Sequence, residues 1–285
     1  MANKKLREML NKPGIILAPG AFDAWSARLV EQAGFPAVYM TGYGASASVL
    51  GAPDIGLITL TEMAAHATNM AAAVDIPLIA DADTGYGGVL NVIRTVQEYE
   101  RGGIAAVQLE DQVLPKRCGH MEGKELVAKK EMVSKVKAAV HARKSEDLII
   151  IARTDARAVN GFDDAMDRAL SYRDAGADII FFEAPQSVEE MKKVAASIKA
   201  PLLANMVEAG KTPFLTSAEL EQIGYKLVIY PASTLYAATK SMMSVLQVLK
   251  GTDSTEEYAE QMVGFNEFFK LVGVEKARNL EKSFV

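Results

Sequence analysis

One cassette recurs along this chain: a glycine that ends a helix, a few residues, then an unbroken apolar run that stops at a polar side chain. It reads AGFPAVYMTG up to Thr41, GGIAAVQLED up to Glu110, AGADIIFFEAP up to Glu183 and IGYKLVIYPAS up to Ser233. Glycine after a helix supplies the left-handed cap, and a run of Val, Ile and Phe without alternation suits a strand covered on both faces. Four further runs, near Ile15, Ile79, Ile150 and Leu203, bring the predicted strands to eight. Between them lie segments of helical period, such as Val89, Val92, Ile93, Val96 and Tyr99, or Met132, Val133, Val136 and Val140. Thr59 with Glu62, Ser187 with Glu190 and Thr216 with Glu219 have the spacing of capping boxes at helix starts. Strands and helices alternating in this way predict an α/β protein, a (β/α)8 TIM barrel, with a doubly wound open sheet as the alternative. The barrel is expected over residues 1–240, and a C-terminal helical segment used in oligomerisation over 241–285. That last stretch, with MMSVLQVLK and YAEQMVGFNEFFKLVGV, carries more apolar surface than one outer helix needs, a surplus suited to packing on another subunit.

Charge and composition narrow the function classes. With 31 Lys and Arg against 36 Asp and Glu, the net charge of −5 argues against a partner made of nucleic acid or anionic membrane. No apolar stretch is long enough for a membrane span, and the charged N-terminal segment has no apolar core of a secretory signal. Cys118 is the one cysteine, so no intrachain disulfide forms and a reducing cytoplasm is the expected compartment.

In a barrel the site is built at the C-terminal strand ends, so the residue closing each run is the informative one. In order these are Asp23, Thr41, Asp81 with Asp83, Glu110 with Asp111, Arg153 with Asp155, Glu183, Asn205 with Glu208, and Ser233. Any one such carboxylate can simply cap the next helix or pair with a nearby cation. Asp81, Asp83 and Glu110 together would repel one another without a positive centre, and oxygen-only donors suit Mg2+ or Mn2+. Gly210, Lys211 and Thr212 imitate the end of a phosphate-binding loop, but Asn205 stands where its first glycine belongs and Pro213 follows at once. Cys118 lies in PKRCGH, between Lys116, Arg117 and His120. Cations beside a thiol favour its thiolate, which fits a group that moves a proton, and such polar surroundings suit a core cysteine poorly.

The segments ADADTGYG (Ala80 to Gly87), EDQVLPKRCGH (Glu110 to His120) and ARTDA (Ala152 to Ala156) resemble the isocitrate lyase/phosphoenolpyruvate mutase superfamily, and the Lys-Arg-Cys-Gly-His loop resembles its carbon–carbon lyase branch. The resemblance implies a Mg2+-dependent lyase (Mn2+ as a substitute) that cleaves a 2-hydroxy dicarboxylate of the 2,3-dimethylmalate type to pyruvate and a short carboxylate. The alternatives are 2-methylisocitrate cleavage, then oxaloacetate hydrolysis or decarboxylation, or phosphonate mutase chemistry. It further implies that Asp81 and Asp83 hold the metal, largely through water, with Asp54 and Glu110 around them. Thr41, Gly42 and Tyr43 would present backbone N–H groups to the substrate, and Arg153 would pair with its carboxylate. Tyr39 would take the hydroxyl proton and Cys118 would donate one. Gly119 and His120 would close over the substrate, and Glu183, Asn205, Pro231 and Tyr236 would complete its lining. A homotetramer that exchanges the last barrel helix is implied as well. Where methylisocitrate lyases carry an Arg five residues beyond the Tyr-Pro pair, this chain has Tyr236 after Tyr230 and Pro231. A buried third carboxylate would then lack its cation, which favours a dicarboxylate.

Overall fold

The computed structural model describes residues 2–119 and 121–284, so His120, one of the expected substrate contacts, lies outside the described residues. Eight parallel strands close into a barrel in chain order: β1 (Ile16–Ala21), β2 (Val38–Met40), β3 (Leu78–Asp81), β4 (Ala106–Glu110), β5 (Ile149–Thr154), β6 (Ile179–Phe182), β7 (Leu202–Asn205) and β8 (Leu227–Tyr230). The seam is β1 against β8, with Ile16 opposite Leu227 and Pro19 opposite Tyr230. All eight apolar runs are strands, and the barrel, not the open sheet, is the fold. Gly34, Gly103, Gly176 and Gly224, which precede the four cassette strands, all have φ between 82° and 114°, where a side chain would be strained.

Thr59 and Thr216 form reciprocal capping boxes with Glu62 and Glu219. Ser187 caps only one way: its hydroxyl accepts from Glu190 N–H, while the Glu190 carboxylate is drawn off by Arg157, at 2.8 Å, and by the Gln186 N–H. A charged donor outbids the backbone amide that a capping box would supply.

Two apolar layers result. One lies between strands and outer helices, and the other fills the barrel itself with Ile16, Tyr39, Ile79, Ile151, Phe181 and Ile229. The helix Ala2–Leu10 inserts Leu6, fully buried, into this inner layer. It is tied down by Arg7, whose Nη1 lies 2.7 Å from Asp178 Oδ1; Arg143 Nη1, at 2.6 Å, shares the same carboxylate through Oδ2. Leu6→Ala is expected to destabilise the protein by about 2–5 kcal/mol, because a cavity remains where barrel residues cannot collapse. Urea denaturation measures this, and a loss under ~1 kcal/mol would show that the helix does not plug the barrel.

The chain divides into two compact units, residues up to Leu235 and from Tyr236 onward. The second holds most of the helix Ser233–Thr252, then Phe265–Val272 and Val274–Lys282, with Met242, Met243, Leu246, Phe265 and Phe268 exposed. No described helix is long and apolar enough to cross a membrane.

Candidate active site

At the C-terminal end of the strands the structure gathers Asp54, Asp81, Asp83, Glu110, Arg153 and Glu183, all buried. Glycine makes this density possible at Gly42, where an added Cβ would lie 2.4 Å from Asp81 Oδ2. Asp83 adopts a left-handed φ of 47° just beyond β3, where its N–H donates to Asp81 Oδ1 at 3.0 Å. Burial, with Asp81 and Asp54 alongside, pushes the Asp83 carboxyl up to about 7 against the pull of Lys116.

The positive centre that this cluster requires is partly supplied by the chain. Lys116 Nζ is buried 2.6 Å from Asp54 Oδ1 and 2.9 Å from Asp83 Oδ1, the latter an ion pair without hydrogen-bond alignment. Burial alone would depress the lysine's pKa, but Asp83, Glu110, Asp81 and Asp54 outweigh it and hold the ammonium well above its usual value. One lysine does not balance four carboxylates. Glu110 Oε1 is buried without a hydrogen-bond partner, and burial raises the Glu110 carboxyl well above the usual range despite Arg153 and Lys116. An all-oxygen set with surplus negative charge fits a hard divalent cation. Among the described residues no three His, Cys, Asp or Glu side chains converge to enclose an ion. The fit is to a cation held through one or two carboxylates and water, the habit of Mg2+.

Arg153 is held along one edge by a neighbouring acid. Its Nε and Nη2 each donate at 2.9 Å to Asp155, a two-pronged bond that uses two of its five donors. Its guanidinium stands 5.0 Å over the Phe181 ring and its Nε is 3.5 Å from Glu110 Oε2. Burial disfavours the charged form of Asp155, but Arg153 and Lys124 overcome it and hold that carboxyl below its ordinary value. Asn205 Nδ2 approaches Glu183 at 3.3 Å, beside the same arginine.

The geometry corrects one expected contact, that of Thr41. Thr41 cannot offer its N–H to a ligand, because that group donates to the Ala21 carbonyl at 3.3 Å; its hydroxyl instead caps the turn Gly42–Ala45 by accepting from Gly44 N–H. Gly42 and Tyr43 do occupy the first two positions of that turn, whose N–H groups point out of its N-terminal end. Burial, reinforced by Asp81, raises the Tyr39 phenol well above its ordinary value. It donates to Gln108 Oε1 at 3.2 Å, and Gln108 Nε2 reaches Asp81 Oδ1 at 3.4 Å, so Tyr39 orients Asp81 through one amide. Asp111, one residue past Glu110, faces away from the mouth and accepts from Thr154, Tyr172, Arg168 and the Asp155 N–H. Asp23 caps the helix Ala24–Gln32. Pro231 lies against β1, where a Cβ on Gly20 would stand 2.4 Å from its carbonyl oxygen. Tyr236 is the first residue of the second unit.

The thiol sits on the loop between β4 and the helix Lys129–Ala142. Cys118 is half-buried, and its N–H donates to the Asp54 carbonyl at 3.2 Å. Its flanking cations turn elsewhere, Lys116 to Asp54 and Asp83, and Arg117 Nη1 to the Glu122 carbonyl at 3.1 Å. Gly119 presses on the floor: a Cβ there would lie 2.3 Å from Arg153 Nη2 and 2.9 Å from Glu183 Oε1. The sequence singled out Lys116 only as a neighbour of the thiol and did not point to Gln108 or Lys124 at all. The excess of carboxylates over cations at the strand ends was the one signal for the buried lysines.

A closed barrel whose mouth gathers buried carboxylates with Lys116 and Arg153 beside a thiol-bearing loop is the architecture of a (β/α)8-barrel enzyme. Residues 6–250 match the phosphoenolpyruvate phosphomutase family profile, and the chain belongs to the phosphoenolpyruvate mutase/isocitrate lyase superfamily. The 2,3-dimethylmalate lyase of Eubacterium barkeri is 53% identical over 280 residues, spanning 98% of this chain and 97% of that protein. The 2-methylisocitrate lyase of Aeropyrum pernix is 47% identical over 268 residues, 94% of this chain and 86% of that one. A crystal structure of a 2,3-dimethylmalate lyase superposes with a TM-score of 0.95 at 39% identity, over 99% of this chain and 95% of the other. A phosphonopyruvate hydrolase crystallised with oxalate and Mg2+ superposes at 0.89 and 31% identity, over 99% and 98%.

Proposed function

We propose that this chain is a Mg2+-dependent carbon–carbon lyase that cleaves a 2,3-dimethylmalate-type substrate to pyruvate and propionate. The observation that carries the reading is the seating of Gly119 on Arg153 and Glu183, which sets Cys118 on a roof over the carboxylate cluster. The near-complete match to a 2,3-dimethylmalate lyase supports it. Asp81 and Asp83 would hold Mg2+, with Asp54 and Glu110 around it; when bound, the ion supplies positive charge to the substrate's hydroxyl and carboxylate oxygens and makes the hydroxyl more acidic.

The chain's own residues then act in sequence. Gly42 and Tyr43 present N–H groups to the keto-acid half, and Arg153, held by Asp155, supplies fixed positive charge beside it. The hydroxyl proton leaves into the carboxylate cluster, the C2–C3 bond breaks, and its electron pair passes to C3 and the attached carboxylate. Cys118 gives its proton to C3 to release propionate, and the thiolate recovers a proton before the next turnover. Tyr39 orients Asp81 and stays protonated throughout.

Pyruvate release from 2,3-dimethylmalate, 2-methylisocitrate and oxaloacetate with Mg2+ tests the assignment. 2,3-Dimethylmalate is expected to give the highest kcat/KM. A tricarboxylate preference would overturn the substrate and leave the reaction type standing. Tyr236→Arg is expected to narrow the gap between 2,3-dimethylmalate and 2-methylisocitrate, since guanidinium offers a third carboxylate a planar fork where phenol offers one hydroxyl. The ratio of the two rates is the measurement, and an unchanged ratio removes position 236 from specificity. We further propose a cytoplasmic homotetramer with its last barrel helix exchanged, which light scattering checks; the exposed apolar side chains of the second unit support it.

A further inference from the structure

The loop that carries Cys118 is clipped at its base and docked at its tip, and two different sets of contacts do this. At the base Gln112 bridges Leu126, Val113 N–H donates to the Glu125 carbonyl at 2.8 Å and Val127 N–H to that of Asp111 at 2.9 Å. These bonds join the loop's two ends; beyond them Lys116 pairs with Asp54 and Asp83, and Cys118 N–H donates to the Asp54 carbonyl at 3.2 Å, which fixes one side of the tip and leaves the Gly119 side to other contacts. From beside that base the buried Lys124 reaches the tip, sending Nζ to the Gly119 carbonyl and to Asp155 Oδ1, the latter at 2.9 Å. That oxygen also accepts from Arg153 Nη2 at 2.9 Å. One carboxylate therefore holds the arginine of the floor and, through a single ammonium, the residue next to the thiol on the roof.

We propose that Lys124 is a positioning residue that latches the Cys118 loop shut by bridging the Gly119 carbonyl to Asp155. Three features carry this. The bridge spans roof and floor directly, with no other side chain between them. Asp155 cannot swing to follow an opening loop, because Arg153 grips both its oxygens and Asp111 accepts its N–H at 2.9 Å. Gly119 has no side chain, so its backbone comes within reach of the ammonium, and any Cβ would strike Arg153. Lifting the tip would strip the buried Lys124 ammonium of its Gly119 acceptor while Asp155 stays in place, so the closed pose is favoured by a charge-assisted bond and not by apolar contact alone. The proton-donor role of Cys118 is taken from the proposed function, whereas the latch itself does not depend on which substrate is cleaved.

Cys118 is the one cysteine, so its maximal labelling rate by a disulfide reagent, taken on the pH plateau of the thiolate, reads loop opening without reference to activity. Lys124→Met is expected to raise that rate at least 10-fold and to lower kcat at least 30-fold, while the Mg2+ concentration for half-activation stays within twofold. Gly119→Ala, which keeps the lysine but blocks docking on Arg153, is expected to raise labelling as well. Leu6→Ala, destabilised at the opposite end of the barrel, serves as the control and should label at the wild-type rate. Wild-type labelling in Lys124→Met, or equal acceleration in Leu6→Ala, would overturn the latch. If the wild type cleaved no malate yet Lys124→Met labelled faster, the latch would stand and the proposed reaction would fall.

Discussion

Cys118→Ser is expected to lower lyase turnover by about 10³-fold, within the range for loss of a general acid, with little change in thermal stability or Mg2+ affinity. A serine hydroxyl is a far weaker acid than a thiol, so proton delivery to the C3 carbanion slows. The fold should tolerate the change because the bond that anchors this position is the backbone N–H to the Asp54 carbonyl, which serine keeps. The side chain is only half-buried, so no large cavity or unpaired polar group is created. Single-turnover kinetics checks the assignment: cleavage persists while product protonation becomes limiting. A mutant at near wild-type rate would remove Cys118 from the chemistry.

The second large effect concerns the metal. Exhaustive chelation is expected to abolish turnover and Mg2+ or Mn2+ to restore it, and Asp83→Asn should raise the Mg2+ needed for half-activation about 100-fold. Asparagine is the informative replacement because position 83 has φ of 47°, a conformation that Asn adopts at lower cost than Ala. The amide removes one charge from a cluster in which Lys116 already bridges Asp54 and Asp83, so the surplus negative charge that attracts a divalent ion falls while the backbone is kept. Titration calorimetry on the two proteins measures the affinity directly. Full activity after chelation, or unchanged Mg2+ affinity in Asp83→Asn, would count against the carboxylate cluster as the metal site.

The residues that closed each apolar run were legible as a list, and the structure divides that list by direction. Glu110 and Asp111 are neighbours in sequence, yet one enters the mouth and the other turns to Arg168 and Tyr172 behind it, because successive side chains on a strand point to opposite faces. Asp23 and Asp81 looked alike as strand-end acids, but the first is consumed by the helix that follows it. Tyr39 lies on β2 and Asp81 on β3, and only the barrel joins them through Gln108, which accepts from the phenol and reaches Asp81 Oδ1 at 3.4 Å.

What the sequence determined by itself was local: eight apolar runs of strand length, glycines at the helix ends that require positive φ, two of three reciprocal capping boxes, and the set of acids at the strand ends. Each of these depends on forces acting within a few residues, and periodicity or a single cap suffices to read them. Only the closed barrel decided which charges meet. Lys124 and Asp155 are 31 residues apart, and Asp111 and Arg168 are 57 apart. Nothing in local patterning pairs them, because the choice of partner for a buried charge is made by whichever opposite charge the barrel brings within bonding distance, and an unpaired one is too costly to keep.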